Sequence, residues 1–160
     1  MVRMLDPRHG IAHHEAGHVV AGLRLGLDLL DADILPDDEG GRGHTNFADP
    51  GPWFSPRRGS LTPAERDFVE RVLTTFMAGF AAESHWGHVD LEGSGYDRDK
   101  SMREWARYLE DPSLDRFLGR AREIVTEPSA WSAIERVAAA LLEHQRLDGE
   151  ALKRLVEPGR

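Results

Sequence analysis

The clearest candidate for chemistry is a short run of histidine and glutamate near the start of the chain, His14-Glu15-Ala16-Gly17-His18. On an α-helix, residues four apart share a face, so two imidazoles can bind one metal ion while Glu15 lies beside it. This is the HExxH pattern of zinc-dependent hydrolysis sites. A catalytic zinc ion takes about three protein ligands and keeps a fourth position for water. His14 and His18 therefore need a third ligand from elsewhere in the chain.

The residues around this motif predict the helix that must position it. Asp6 followed by Pro7 is typical of a helix N-cap and first helical position, and Gly26 is typical of a helix end. A wide apolar arc flanks the histidines and comprises Ile11, Ala12, Val19, Val20, Leu23 and Leu27. The histidine face is thus predicted to point inward, where unpaired imidazoles are unfavourable. The interpretation without a metal is a pair of hydrogen-bonded core histidines.

Two acidic residues qualify as the third ligand. Glu83 lies in a predicted helix, as the third ligand of many HExxH sites does, but it adjoins apolar residues and is predicted to be buried. A buried carboxylate needs a partner, and a ligating imidazole is a common one. Asp97 follows the loop Gly93-Ser-Gly-Tyr, which can bring the chain close to a metal, although it also stands at an expected helix N-cap. The residues alone leave both choices open.

The other histidines near these segments are weaker candidates. His85 and His88 are three apart, which would allow a second metal pair, but they flank the predicted helix end at Gly87. We interpret them as a solvated cap region. His13 lies about 100° around the helix from His14 and is predicted to face away from the metal.

The composition indicates one soluble globular domain spanning residues 1–160. The hydrophobic fraction is 40% and the charged fraction 30%, and there are no cysteines, which excludes disulfides and cysteine zinc sites. A formal charge of −8 disfavours a nucleic-acid partner. The first residues lack the apolar core of a signal peptide, and no apolar stretch approaches the roughly 20 residues that span a bilayer. We expect a cytoplasmic protein with no membrane partner.

Periodicity predicts a mainly α fold with a small β-ribbon between the first two long helices and a C-terminal helical bundle. Residues 31–47 indicate two short strands around a glycine-rich turn, and Pro36 either ends the first strand or places it at the sheet edge. An edge strand could bind an extended peptide. Thr62, Pro63 and Glu65 form a capping box that opens a long helix to about Trp86. Further helices are predicted over 98–110, over 114–126, up to about 145, and after Gly149.

Several segments together resemble the zinc protease domain of the FtsH-type ATP-dependent metalloproteases. They occur in the family's order across nearly the whole chain. Residues 11–22 resemble the zinc helix, and Asp33-Ile-Leu-Pro with Gly43-His-Thr resembles the strands that follow it. Residues 77–83 resemble the family's Gly-Gly-Arg-x-Ala-Glu-Glu run, with Phe80 in place of the arginine and Ser84 in place of the second glutamate. Residues 93–97 resemble the segment that supplies the third ligand, and residues 140–150 resemble the C-terminal segment.

The resemblance implies a zinc-dependent endopeptidase with Zn²⁺ as its cofactor. It favours His14, His18 and Asp97 as the metal ligands and leaves Glu83 to orient a ligating imidazole. In such sites zinc lowers the pKa of a water molecule to about 7 and polarises the scissile carbonyl. Glu15 is expected to take the proton of that water and pass it to the leaving amine.

The sequence differs from that of the family in ways that limit the expected substrates. The sequence contains no Gly-x-x-x-x-Gly-Lys-Ser/Thr segment for an ATPase motor, so the expected substrates are unfolded or flexible polypeptides. A homo-oligomer or a separate ATPase partner stays open. One alternative is a metal-holding binding or regulatory module of the same fold that has lost turnover, although Glu15 favours an enzyme because a structural site needs no base. Another is a helical interaction protein without a metal.

Overall fold

Helices dominate the computed structural model, which describes residues 6–38, 42–57, 59–87, 100–110 and 112–159. Within these ranges the helices are α1 (Pro7–Arg24), α2 (Pro63–Gly87), α3 (Lys100–Ala106), α4 (Leu114–Thr126), α5 (Pro128–His144) and α6 (Gly149–Val156). The strands are β1 (Leu29–Pro36), β2 (Arg42–Phe47) and β3 (Arg146–Asp148). The predicted mainly α fold class is confirmed. Among the described helices, none combines the length and apolar character needed to cross a membrane.

Local signals set both ends of α1. The Asp6 side chain accepts a hydrogen bond from the backbone N–H of Arg8 at 3.0 Å, and Pro7 occupies the first helical position. At the other end Leu25 caps the helix and Gly26 follows with a φ of 77°. The helix that carries the histidine pair therefore begins and ends where the sequence predicted.

Helix α1 packs closely against α2, which forms the floor beneath the histidine face. At Gly17 an added Cβ would lie 2.4 Å from the backbone oxygen of Ala78 and 2.6 Å from the Cβ of Ala82. The core on both sides of this contact is fully buried and includes Val19, Val20, Leu73 and Met77. Residues 14–18 are therefore held over the C-terminal half of α2.

The capping box of α2 also fixes the loop before it. Thr62 Oγ1 accepts from the Glu65 N–H at 3.2 Å, and Glu65 Oε2 accepts from the Thr62 N–H at 2.9 Å. The other carboxylate oxygen of Glu65 accepts from the Ser55 N–H at 3.2 Å. Phe54 packs on Trp105 of α3, with ring centroids 5.6 Å apart, whereas the neighbouring Trp53 is half-exposed. This loop therefore lies against the body of the protein and forms a wall beside the histidine face.

The sheet differs from the predicted ribbon because it has a third strand. Its order is β2-β1-β3, with both pairings antiparallel. The suggestion that the first strand lies at the sheet edge is wrong, since β3 covers its second side; the alternative, that the strand ends at Pro36, is what the structure shows. In the described sheet β2 is an edge strand. Within the described residues the C-terminal half is helical as expected except for β3, and α3 ends at Ala106, before the predicted end at 110.

Candidate metal centre

His14, Glu15 and His18 converge where α1 lies over α2. Their candidate ligand atoms all lie within 4.8 Å of one another, and in the described part of the chain no other group of three or more such residues meets this condition. The two imidazole rings have centroids 4.6 Å apart and are nearly perpendicular, at 82°. The i, i+4 spacing thus brings both rings to one point, with the glutamate beside them.

Each imidazole is oriented through its Nδ1 atom. His18 Nδ1 donates to the backbone oxygen of Thr75 at 2.8 Å, and His14 Nδ1 donates to Glu83 Oε2 at 2.9 Å. A carbonyl or carboxylate oxygen can only accept, so Nδ1 carries the proton in both rings. In the neutral rings each Nε2 therefore keeps a lone pair. A metal-binding histidine is typically held in this way, with its second nitrogen bonded to a carboxylate or a carbonyl.

Gly79 of α2 has no side chain and so leaves room for both Nε2 atoms. An added Cβ at Gly79 would lie 2.4 Å from His18 Nε2 and 2.9 Å from His14 Nε2. Two aromatic rings enclose the pair: Phe80 packs edge-on against His14 with ring centroids 4.8 Å apart, and Phe76 against His18 at 6.3 Å. Two neutral imidazoles and a neighbouring carboxylate suit zinc, so the residues present fit that ion.

Burial keeps the His18 imidazole neutral. Burial, with a smaller contribution from the neighbouring His14, lowers the pKa of His18 to about 3, against the opposing effect of the hydrogen bond to the Thr75 carbonyl. At neutral pH the ring is therefore in the form that binds a metal.

Burial has the opposite effect on the pKa of Glu15. It raises the pKa of Glu15, while His14, the Thr45 hydroxyl and His44 lower it. His44 itself lies between two carboxylates, Asp33 and Asp37, whose hydrogen bonds raise its pKa. Glu15 therefore holds a proton more readily than an exposed glutamate, as a group that must take and return one requires.

The structure brings Glu83 to the site and does not describe Asp97. Glu83 reaches His14 across 69 positions of sequence. The expectation that it is buried is wrong, because its side chain is 46% exposed. The segment 93–97, and with it Asp97, lies outside the described residues, so the third ligand stays a prediction.

Two other histidines considered as candidates, His13 and His85, make their contacts away from the converging pair. His13 stacks on Trp86 with ring centroids 4.8 Å apart, and its Nδ1 donates to the backbone oxygen of His9 at 2.7 Å. His85 is exposed and packs on Trp131. His88 lies outside the described residues, so the second metal pair stays a prediction.

A cavity of about 820 Å³ opens onto the histidine pair. Strand β2 and aromatic residues of the neighbouring loop, α2 and α3 line it: Trp53, Phe68, Phe76 and Trp105. Two groups that contact the site were not predicted from the sequence, the Thr75 carbonyl and the Thr45 hydroxyl. A main-chain carbonyl has no side-chain signature, and Thr45 is one of several polar residues on a short strand, so neither gave a signal.

We expect Gly79→Ala to disrupt the histidine pair. The new methyl group would overlap both imidazoles, and overpacking of this kind typically destabilises a fold by about 1–3 kcal/mol. The free energy of unfolding and the zinc affinity should both fall. Gly119→Ala in α4 is the matched control, since nothing lies within 4 Å of its added Cβ. Alanine there should stabilise by roughly 0.5–1 kcal/mol. Equal behaviour of the two variants would contradict the packing described at Gly79.

Comparison with known proteins shows similarity to part of a longer protein. No family model matches this chain. The chain is 35% identical over 176 aligned positions to the ATP-dependent zinc metalloprotease FtsH 1 of Symbiobacterium thermophilum. The alignment covers 91% of this chain but 28% of that protein, so the chain spans less than a third of its relative's length. It is therefore similar to a part of an FtsH metalloprotease over nearly all of its own sequence.

Proposed function

We propose that this chain is a zinc-dependent endopeptidase that hydrolyses peptide bonds of unfolded or flexible polypeptides. The observation that carries the proposal is the convergence of His14, Glu15 and His18, with Nδ1 of each ring already bonded. The similarity to a zinc metalloprotease over 91% of the chain supports it.

Several residues of this chain have separate roles in the proposed peptide hydrolysis. His14 and His18 would hold a zinc ion, while Glu83 and the Thr75 carbonyl fix the two rings. When bound there, zinc would lower the pKa of a water molecule and polarise the scissile carbonyl. Glu15 takes a proton from the attacking water and returns it to the leaving nitrogen.

Metal analysis combined with a cleavage assay tests the proposal. Purified protein should contain zinc, cleave unstructured peptides, lose cleavage with a chelator and regain it when zinc is restored. A protein that binds zinc but cleaves none of a broad set of unstructured peptides would be the binding module instead. A protein that binds no metal would be a helical interaction protein. Peptide cleavage by this site requires neither a homo-oligomer nor an ATPase that delivers substrate, and it is compatible with either.

We expect this chain, without nucleotide or partner, to prefer disordered substrates by at least about 100-fold. The cavity lies beside an edge strand, which pairs with extended main chain, and a folded protein exposes such main chain only in its rare open state. The comparison uses a disordered protein and a stably folded one of similar length. A destabilised variant of the folded protein serves as the control and should be cleaved faster than its parent. Equal rates for the disordered and folded substrates would exclude this substrate class.

A further inference from the structure

The carboxylate of Glu15 is held by a residue on a different element. Glu15 is 4% exposed, and Thr45 Oγ1 on β2 donates to its Oε2 at 2.6 Å. The next acceptor for that hydroxyl, the Glu15 backbone oxygen, is 3.4 Å away. A hydroxyl has one proton to donate, so the shorter contact takes it. The distance is within the range for a hydroxyl bonded to a carboxylate.

Strand β2 bounds the same carboxylate at a second point. Gly43 lies two positions before Thr45 on the same strand. A Cβ at Gly43 would lie 2.7 Å from Glu15 Oε1 and 2.9 Å from Glu15 Cγ. The bare backbone of Gly43 thus lies against one oxygen while the Thr45 hydroxyl holds the other. Because the terminal torsion of a glutamate is otherwise broad, these two contacts select one orientation.

The hydroxyl is not needed to hold β2 in place. Thr45 faces Ala32 in the β1–β2 register, and the main-chain ladder runs from Leu29↔Phe47 to Pro36↔Arg42. The next residue pair, His44 with Asp33, adds a side-chain contact of 3.1 Å across the two strands. Loss of one hydroxyl should therefore leave the strand paired and free only the carboxylate.

We propose that Thr45 is a positioning residue for the peptidase reaction, which fixes the Glu15 carboxylate in the orientation for proton transfer. This inference rests on the proposed function. A base that is free to rotate spends less time within reach of the proton, and a displacement of about 1 Å can lower a rate about 100-fold. The hydroxyl donates to Glu15 and is not available to a substrate, so its loss should lower kcat and leave KM unchanged.

Three variants test this proposal. Thr45→Val removes the hydroxyl at nearly constant volume, and Thr45→Ser keeps it. Thr74→Val is the matched control, because Thr74 is fully buried but its hydroxyl donates to Glu70 O within α2 at 2.8 Å. We expect T45V to lower kcat about 10- to 100-fold, as loss of a hydrogen bond to a charged group does, with KM and zinc content unchanged. T45S should stay within about threefold of the wild type, and T74V should keep its kcat.

A second measurement on the zinc-free protein does not depend on activity. The ¹³C resonance of the Glu15 carboxylate, assigned by its loss in Glu15→Gln, should move in T45V and stay in place in T74V. An unmoved resonance, or an unchanged kcat in T45V, overturns the inference. So does loss of zinc or of thermal stability in T45S and T45V alike. If T45V does not fold, Thr45→Ala replaces it; if neither folds while T45S does, the hydroxyl is structural and the inference fails.

Different results would overturn the proposed function and the proposed role of Thr45. An inactive wild type overturns the proposed function and this inference together. An active wild type with an active T45V overturns only the role of Thr45.

Discussion

Glu15→Gln should keep the bound metal and lower peptide cleavage about 10²- to 10⁴-fold. Glutamine has the same shape and can still accept the Thr45 hydroxyl bond through its amide oxygen, and the change removes neither histidine. What it removes is the group that accepts a proton, and a positioned general base typically contributes a factor of this size. Metal content and kcat/KM, measured on the same preparation, give the two quantities.

Glu123→Gln is the control for this experiment. Glu123 is exposed on α4, away from the site, so the same chemical change should leave both metal content and cleavage as in the wild type. Undiminished cleavage by Glu15→Gln would remove Glu15 from its assigned role. Loss of the metal in that variant would show instead that Glu15 is a ligand.

Asp97→Ala should nearly abolish tight zinc binding, whereas Glu83→Gln should weaken it by about 10- to 100-fold. The histidine pair supplies two ligands, so removing the third opens the site. The contact seen at Glu83 argues against its being that third ligand. Its Oε2 bonds Nδ1 of His14, and Nδ1 lies on a different edge of the ring from Nε2, where the ion is proposed to bind. Zinc affinity, measured by titration into metal-free protein, ranks the two variants.

A cap variant controls for local destabilisation. If Asp97 is only a helix N-cap, its loss costs about 1 kcal/mol of stability and leaves zinc affinity unchanged. Asp148→Ala shows the effect of losing a helix N-cap alone, since Asp148 caps α6 by accepting from the Ala151 N–H at 2.8 Å. Full zinc affinity in Asp97→Ala, with its loss in Glu83→Gln, would exchange the two assignments.

The parts of the fold that could be predicted are those with local causes. The ends of α1 follow from Asp6, Pro7 and Gly26, and the start of α2 follows from Thr62 and Glu65, all within a few positions of the element they delimit. The HExxH spacing belongs to the same class, because helix geometry alone brings His14 and His18 together.

The parts that could not be predicted depend on contacts between distant segments. Strand β3 has three residues and too little length for a periodic pattern, so only its pairing with β1 makes it a strand. The exposure of Glu83 also depends on how α1 crosses α2, which its position near the apolar stripe did not reveal. The partnership of Thr45 with Glu15 spans 30 positions and has no sequence signature.

The third strand also sets the order in which the protein can assemble. Arg146 of β3 bonds Asp31 of β1 at 2.8 Å across 115 positions of sequence, a separation that makes this contact slow to form. At ribosomal rates of about 5–20 residues per second, roughly 6–23 s pass between the synthesis of these two residues. During that interval β1 and β2 can pair, but the far side of β1 stays open. The strand that holds Glu15 is therefore part of a complete sheet only after β3 has been synthesised.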